Sequence, residues 1–266
     1  MTTEDEASIK EKVKSFFDSS SVVSAGGGAV VSTIFGGDPI TGAMAGSTAS
    51  SAIKIVLKKG LTDLVYRKTS NNEKQKIGIL ILASYEKIKQ NLENNIPLRD
   101  DDFFKELPND RSTAEEIFEG VVFAAQKEHE EKKLKFMGNL FGNLAFHPEI
   151  DRTQANLLIK IAQRCSYRQL CLLALFSEKR PTLRKERYEK EPGQIIRGEK
   201  LVPLLTELIE LCTQGIMFRG NDMISYLGAI APAEMKSGGA GSILYRMMEL
   251  WNIDQNDVDE IGKILE

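Results

Sequence analysis

Residues 19–53 form a nearly uncharged stretch that constrains the fold more than any other part of the chain. Its only charged side chain is Asp38, although 27% of all residues in the protein are charged. The four residues Gly36-Gly37-Asp38-Pro39 favour a turn, and proline is well suited to the first position of a helix. The stretch is therefore predicted to be a hairpin of two helices joined by a tight turn.

Small residues recur at every fourth position in each arm of this hairpin. In a helix this spacing places them in one flat stripe, which allows another backbone to approach closely, as in packed membrane helices. An interior glycine costs about 1 kcal/mol relative to alanine, so regularly spaced glycines require a compensating close contact. The residues predicted to serve membrane insertion or self-assembly are Gly28, Ser32, Gly36, Gly42, Gly46 and Ser50.

The length and polarity of the arms argue against a permanent membrane anchor. A membrane-spanning helix needs about 20 predominantly apolar residues, whereas the second arm runs only from Pro39 to Ile53 and is rich in Ser and Thr. It is short unless the lysines that follow, Lys54, Lys58 and Lys59, extend to the lipid headgroups. Three interpretations remain open: a hairpin inserted on activation, a hairpin that packs on identical copies, and a tightly packed soluble hairpin.

The composition excludes several classes of protein. A net charge of −3 and a pI near 5.7 give no general attraction to nucleic acid, so nucleic acid is not an expected partner. The amino terminus is acidic and polar, unlike a secretory signal, which favours a cytoplasmic protein that moves to the inner membrane when its hairpin inserts. The cysteine spacing fits neither a disulfide framework nor a zinc site, so buried thiols are expected at Cys165, Cys171 and Cys212.

No recognised catalytic motif is present in the sequence. The hairpin turn has the glycine spacing of a phosphate-binding loop, but Ala43 and Met44 stand where Lys and Ser or Thr are required. His129 and His147 frame no nuclease or metal-binding motif, and the carboxylates of residues 128–131 are interleaved with lysines, which favours ion pairs on a solvated helix face. We therefore predict no catalytic residue, metal ligand, cofactor or small-molecule substrate, and a protein that is not an enzyme.

The rest of the chain predicts an all-α fold, a helical bundle. Ser70 with Glu73, Ser112 with Glu115, and Ser166 with Gln169 are capping-box pairs that open helices with apolar stripes. The predicted helices span residues 70–94, 112–127, 128–146, 152–164 and 166–178, and helices joined by short loops are typical of a bundle.

The predicted domain boundaries follow changes in composition. Residues 1–69 comprise an amphipathic helix plus the Gly-rich helical hairpin, residues 70–178 the helical bundle, residues 179–200 a charged, solvated linker, and residues 201–266 a small C-terminal subdomain. In that subdomain a helix closed by Gly215 precedes residues 221–235, which are predicted to hold two short strands, and helices at 242–250 and 254–265. This order is compatible with a winged-helix-like subdomain and equally with an irregular helical lid.

A second small-residue pattern lies within the predicted bundle. Gly138 and Gly142 are four residues apart, and so are Asn139 and Asn143, so that one helix presents a smooth strip beside a strip of amides. Close packing of this helix inside the bundle is the favoured interpretation, with a binding groove as the alternative.

The segments EEKKLKFMGNLFGNLAFHPEI (residues 130–150) and ANLLIKIAQRCSYRQLCLLALF (residues 155–176) resemble bacterial helical proteins of the abortive-infection alpha type. The resemblance implies a place in phage defence as a toxic or growth-arresting effector, and it carries over no catalytic residues.

These patterns together predict a non-enzymatic bacterial effector, anti-phage in type, whose hairpin inserts in membrane or self-assembles. Its expected partners are membrane lipid, further copies of itself and a protein trigger. The alternative is a soluble scaffold or sensor protein that oligomerises through the hairpin and binds a protein partner.

Overall fold

The structure, a computed structural model, describes most of the chain after residue 69 and little before it. The described residues are 11, 53, 55–62, 70–106, 111–178, 182–189, 194–220, 224 and 226–266. The hairpin residues singled out from the sequence lie outside the described residues; they are Gly28, Ser32, Gly36, Gly42, Gly46 and Ser50.

The predicted all-α architecture is confirmed, since the described chain is mainly helical. The chain divides into two compact units, Met1–Gln163 and Arg164–Glu266. Residues 55–62 are helical, and the longer helices are α1 (Asn71–Glu93), α2 (Thr113–Lys127), α3 (Lys132–Leu144), α4 (Arg152–Arg164), α5 (Tyr167–Ser177), α6 (Leu201–Thr213), α7 (Ala240–Met248) and α8 (Gln255–Leu265).

The three predicted capping boxes are all present, and they set where α1, α2 and α5 begin. In each box the serine side chain accepts the backbone N–H of the third helical residue, whose own side chain accepts the serine N–H. Helix α3 begins later than predicted, at Lys132 rather than at residue 128. The reason is that the Glu128 carboxylate accepts the backbone N–H groups of His129 and Glu130, which holds these residues in a turn.

The core of the first unit contains a close crossing of α1 and α3. A Cβ atom at Gly138 would lie 2.6 Å from Ala83 Cβ and 2.7 Å from the Leu80 carbonyl oxygen, and one at Gly142 would lie 2.8 Å from Lys87 Cβ. Carbon atoms in contact are normally about 3.5–4.0 Å apart, so only glycine permits this approach. The close helix packing predicted from the glycine spacing is confirmed.

The C-terminal end of α3 is held by the buried guanidinium of Arg99. Its Nη1 donates to the carbonyl oxygens of Leu144 and Ile150 at 3.2 and 3.1 Å, and its Nη2 donates to that of Pro148 at 3.5 Å. Its Nε donates to Asp101 Oδ1 at 2.7 Å. The last carbonyls of a helix have no partner within the helix, and here one side chain from elsewhere in the unit supplies it.

Helix α5 belongs to the second unit, whereas the sequence placed it in a bundle ending at residue 178. Eight consecutive residues of α5, from Gln169 to Phe176, are buried, so this helix must be covered on several sides at once. The C-terminal helices α6, α7 and α8 and strand β2 (Met235–Ser237) provide that cover. The unit boundary accordingly falls at the end of α4.

The second unit contains a two-stranded antiparallel sheet. Strand β1 (Met217–Arg219) pairs with β2 so that Met217 lies opposite Ser237. Strand β1 precedes the stretch 221–235 and β2 begins only at its last residue, so the two strands do not lie within it as predicted. The described part of the stretch contains two 3-10 turns, Leu227–Ala229 and Pro232–Glu234. Gly215 closes α6 as predicted, with a φ of +69° that favours glycine.

Part of the predicted charged linker is bound to the second unit. The Arg184 N–H donates to the Leu265 carbonyl at 3.1 Å, and the Arg184 carbonyl accepts the Ala233 N–H at 2.9 Å. The Tyr188 N–H donates to the Ile230 carbonyl at 3.3 Å. Residues 182–189 therefore form a strap that is fixed by backbone hydrogen bonds, unlike the solvated linker expected from their charge.

Candidate functional site

The stem, defined as Ile53 and residues 55–62, continues the second arm of the predicted hairpin into the first unit. Its apolar side chains at Ile53, Val56, Leu57 and Leu61 are at most 2% exposed. Their spacing places them along one helical face, and burying an aliphatic side chain contributes about 1.5–3 kcal/mol. The chain is therefore firmly seated in the bundle within three residues of Ser50.

A glycine lets the stem approach α2. A Cβ atom at Gly60 would lie 2.3 Å from Phe118 Cε1 and 2.4 Å from Phe118 Cδ1, so any larger residue requires the ring to move. The ring has little room, because Phe118 is 1% exposed and packs against Phe141 with the ring centroids 4.9 Å apart. Gly60 is thus a steric requirement of the seated stem.

The residue before this glycine carries an ion pair to the start of α2. Lys59 Nζ lies 2.7 Å from Glu115 Oε1 and 3.4 Å from Glu106 Oε1. The contact with Glu115 raises the pKa of Lys59 above its usual value, against the opposing effect of burial, and Glu106 adds to the rise. We call Lys59, Gly60, Glu106, Glu115 and Phe118 the clasp.

Glu115 serves the clasp and the capping box of α2 at once. Its Oε2 accepts the Ser112 N–H at 3.0 Å, while Oε1 faces Lys59. The Glu115 side chain is 8% exposed, whereas those of Lys59 and Glu106 are 50% and 68% exposed. In the charged part of the clasp, a lysine therefore reaches the buried carboxylate of Glu115 from the solvent side.

The charged segment 127–133 is exposed at most of its residues, including His129, as predicted, but Glu128 and Lys133 are buried. Lys133 donates from Nζ to Glu128 Oε2, and both side chains are almost completely buried. Lys133 also donates to the Gln163 carbonyl at 3.5 Å. A buried charge is tolerated when it is paired and hydrogen-bonded, and this pair joins the α2–α3 turn to the end of α4.

This turn brings together three potential metal ligands among the described residues. Ligand atoms of Glu128, His129 and Glu130 lie within 4.8 Å of one another. Burial acts to raise the pKa of Glu128, but hydrogen bonds from Lys133 and from the N–H groups of Glu130 and His129 outweigh it and leave this pKa below its usual value. The ion pair and turn account for the grouping without a metal.

The other candidate polar residues have structural contacts. The ring nitrogen Nδ1 of His147 lies 2.8 Å from Glu149 Oε1. Cys165 and Cys171 are buried thiols outside any disulfide, as predicted, whereas Cys212, also predicted to be buried, is only partly so. Burial raises the pKa of Cys212 to about 11. A thiol with a raised pKa is a weak nucleophile at neutral pH.

One polar contact ties α5 to α8 in the second unit. The Tyr167 hydroxyl donates to Asp257 Oδ2 at 2.8 Å. Burial, together with this hydrogen bond, raises the pKa of Tyr167 well above its usual value, so the hydroxyl stays neutral and acts as a donor. The contact fixes the packing of two helices.

The sequence predicts the hairpin but gives no prediction of the clasp. From the sequence, Glu115 is interpreted only as a capping residue, and Lys59 as a lysine able to reach lipid headgroups. The available signal was Gly60, a single glycine inside an apolar helical pattern, which marks close packing when a side chain lies opposite. Which side chain that is depends on tertiary structure.

Comparisons with known proteins give no match: no protein-family model, no curated protein and no solved structure matches the chain. Among the helices that the structure describes, none is both long and apolar enough to cross a membrane. The stem, the clasp and the sequence of the hairpin are therefore the features from which a function can be argued.

Proposed function

We propose that this protein is a non-enzymatic bacterial effector, anti-phage in type, that acts through its Gly-rich hairpin by inserting in membrane or by self-assembly. The observation that carries the proposal is the seated stem. It joins the small-residue stripe, which ends at Ser50, to a helical bundle within three residues. A hairpin mounted in this way is joined directly to a folded unit that holds its base.

Two features of the sequence support this proposal. The first is the pair of matched stripes around a Gly-Gly-Asp-Pro turn with a single charge between residues 19 and 53, a pattern that favours close contact with another helix. The second is the resemblance of residues 130–176 to abortive-infection alpha-type proteins. In this proposal the partners are membrane lipid, further copies of the chain and a protein trigger, and the protein moves from the cytoplasm to the inner membrane.

A leakage assay with the full chain tests the membrane form of the proposal. Dye-loaded vesicles of phosphatidylethanolamine and phosphatidylglycerol are mixed with the parent protein, with Gly46→Leu and with Ala45→Leu. The first variant fills the stripe, and the second adds the same side chain at the adjacent position, outside it. We expect leakage from the parent and from Ala45→Leu and at least tenfold less from Gly46→Leu. Equal leakage from all three proteins would refute a role for the stripe.

The hydroxyl-rich composition of the arms favours a second candidate, a soluble scaffold or sensor that assembles through the same stripe. This candidate predicts oligomers in solution without detergent, and Gly46→Leu should reduce their mass measured by light scattering. A membrane-only hairpin should leave the soluble mass unchanged, so the measurement separates the two functions.

A further inference from the structure

We propose that the clasp is an autoinhibitory contact: Lys59 and Gly60, held against Glu115 and Phe118, keep the stem seated, and opening this contact frees the hairpin to act. The inference rests on the proposed function for its activating step. The other part of the inference, that the clasp keeps the stem seated, rests on the geometry of the stem alone.

The clasp holds the stem at two adjacent positions by different interactions. At Gly60 the contact is steric and apolar, with the Phe118 ring occupying the space of a side chain. At Lys59 the contact is electrostatic, with an ammonium group between two carboxylates. A substitution at Lys59 or Gly60 therefore perturbs the packing of the stem without altering its buried face. That face is formed by Val56, Leu57 and Leu61.

The exposure of the clasp residues makes the electrostatic half accessible. Half of the Lys59 side chain and most of Glu106 face solvent, so the pair can be reached in the folded protein. By contrast, the α1–α3 crossing places Gly138 against backbone atoms of α1, and no exposed group controls that contact. The stem is therefore one contact in the first unit that a change at the surface can loosen.

Glu115 allows the electrostatic half to be tested without damaging α2. Glutamine at the third helical position still completes a capping box, so Glu115→Gln removes the charge that faces Lys59 and keeps the acceptor for the Ser112 N–H. Lys59→Glu alters the same contact from the stem side, because it places a third carboxylate next to those of Glu106 and Glu115. Lys135→Glu, at an exposed position of α3, is the matched charge-reversal control.

Hydrogen–deuterium exchange on the full chain measures whether the stem is held. We expect the amides of residues 55–62 to exchange about tenfold faster in Lys59→Glu and several-fold faster in Glu115→Gln, with α3 unchanged and with no effect of Lys135→Glu. Gly60→Ala should accelerate exchange of the same amides, because the added methyl group clashes with the Phe118 ring. Unchanged stem exchange in Lys59→Glu and Gly60→Ala, in variants of parental helix content, would overturn the inference.

Vesicle leakage by the same variants tests the activating step. We expect Lys59→Glu to leak more at a given concentration than the parent and Lys135→Glu to match the parent. If stem exchange rises without added leakage, while Gly46→Leu still abolishes the parental leakage, the inference fails and the proposed function stands. If no variant leaks, the membrane form of the proposed function fails together with the activating step, and exchange alone decides whether the clasp holds the stem.

Discussion

The crossing of α1 and α3 predicts opposite effects for the same substitution at two glycines of the first unit. In Gly138→Ala the added methyl lies 2.6 Å from Ala83 Cβ and 2.7 Å from the Leu80 carbonyl oxygen, about 1 Å inside a normal contact distance. Backbone cannot rotate away, so the two helices must separate. In Gly120→Ala the methyl meets only Ile159 Cδ1, at 3.6 Å, which is ordinary contact.

The size of each effect follows from two contributions. Overpacking costs about 1–3 kcal/mol, and the upper value applies at Gly138 because the obstacle includes backbone. Replacing an interior helical glycine by alanine contributes about 1 kcal/mol of stability at either position. The free energy of unfolding is therefore expected to fall by about 2 kcal/mol in Gly138→Ala and to rise by about 1 kcal/mol in Gly120→Ala.

The assay must follow the first unit. The protein has one tryptophan, Trp251, and it lies in the second unit, so fluorescence reports on the wrong part of the chain. Urea unfolding should instead be followed by circular dichroism at 222 nm, with hydrogen exchange of the α1 amides as a local measure. If Gly138→Ala is as stable as Gly120→Ala, the close-packing interpretation of this crossing is wrong.

Two further predictions concern buried charges. Arg99→Ala leaves buried carbonyls at the end of α3 without their donor, so it should lower the free energy of unfolding by about 3–5 kcal/mol. The Arg111 side chain is half exposed, so Arg111→Ala should lower it by less than about 1 kcal/mol. Equal urea midpoints for the two variants would contradict this prediction. Because the folded pKa of Glu128 is lowered, its stabilising contribution is present above the unfolded pKa of about 4.3 and is lost as the pH falls through the folded value. Between pH 6 and pH 3 the parent should therefore lose more stability than Glu128→Gln, and parallel losses in urea titrations would contradict the assignment.

Local chemistry explains which parts of the fold the sequence predicts well. A capping box is formed by residues three positions apart, so Ser70, Ser112 and Ser166 fix helix starts without reference to the rest of the chain. The glycine spacing of α3 likewise predicts a close approach, because a stripe without side chains is a property of one helix. What the stripe contacts, here α1, follows only from the packing of the whole unit.

The parts that the sequence predicted less well depend on distant partners. The strap is fixed by backbone hydrogen bonds to residues such as Ile230 and Leu265, and backbone groups leave no trace in side-chain composition. Glu128 and Lys133 look like solvated charges because their neighbours are charged, and their spacing of five matches no helix-surface pair. The strands β1 and β2 have three residues each, which is too short for a period-two pattern to be recognised.

The shape of the loop after α3 is fixed by Arg99, a residue outside the loop, and not by the side chains of the loop itself. Two of its carbonyls, those of Pro148 and Ile150, and that of Leu144 at the end of α3 are held by a single guanidinium contributed from outside the loop. This restraint acts on backbone carbonyls, whereas the half-exposed side chain of Glu149 makes its own contact with His147. The loop is therefore a suitable attachment point for a spin label or fluorophore. Because its backbone has little freedom of its own, the label would report the motion of the first unit.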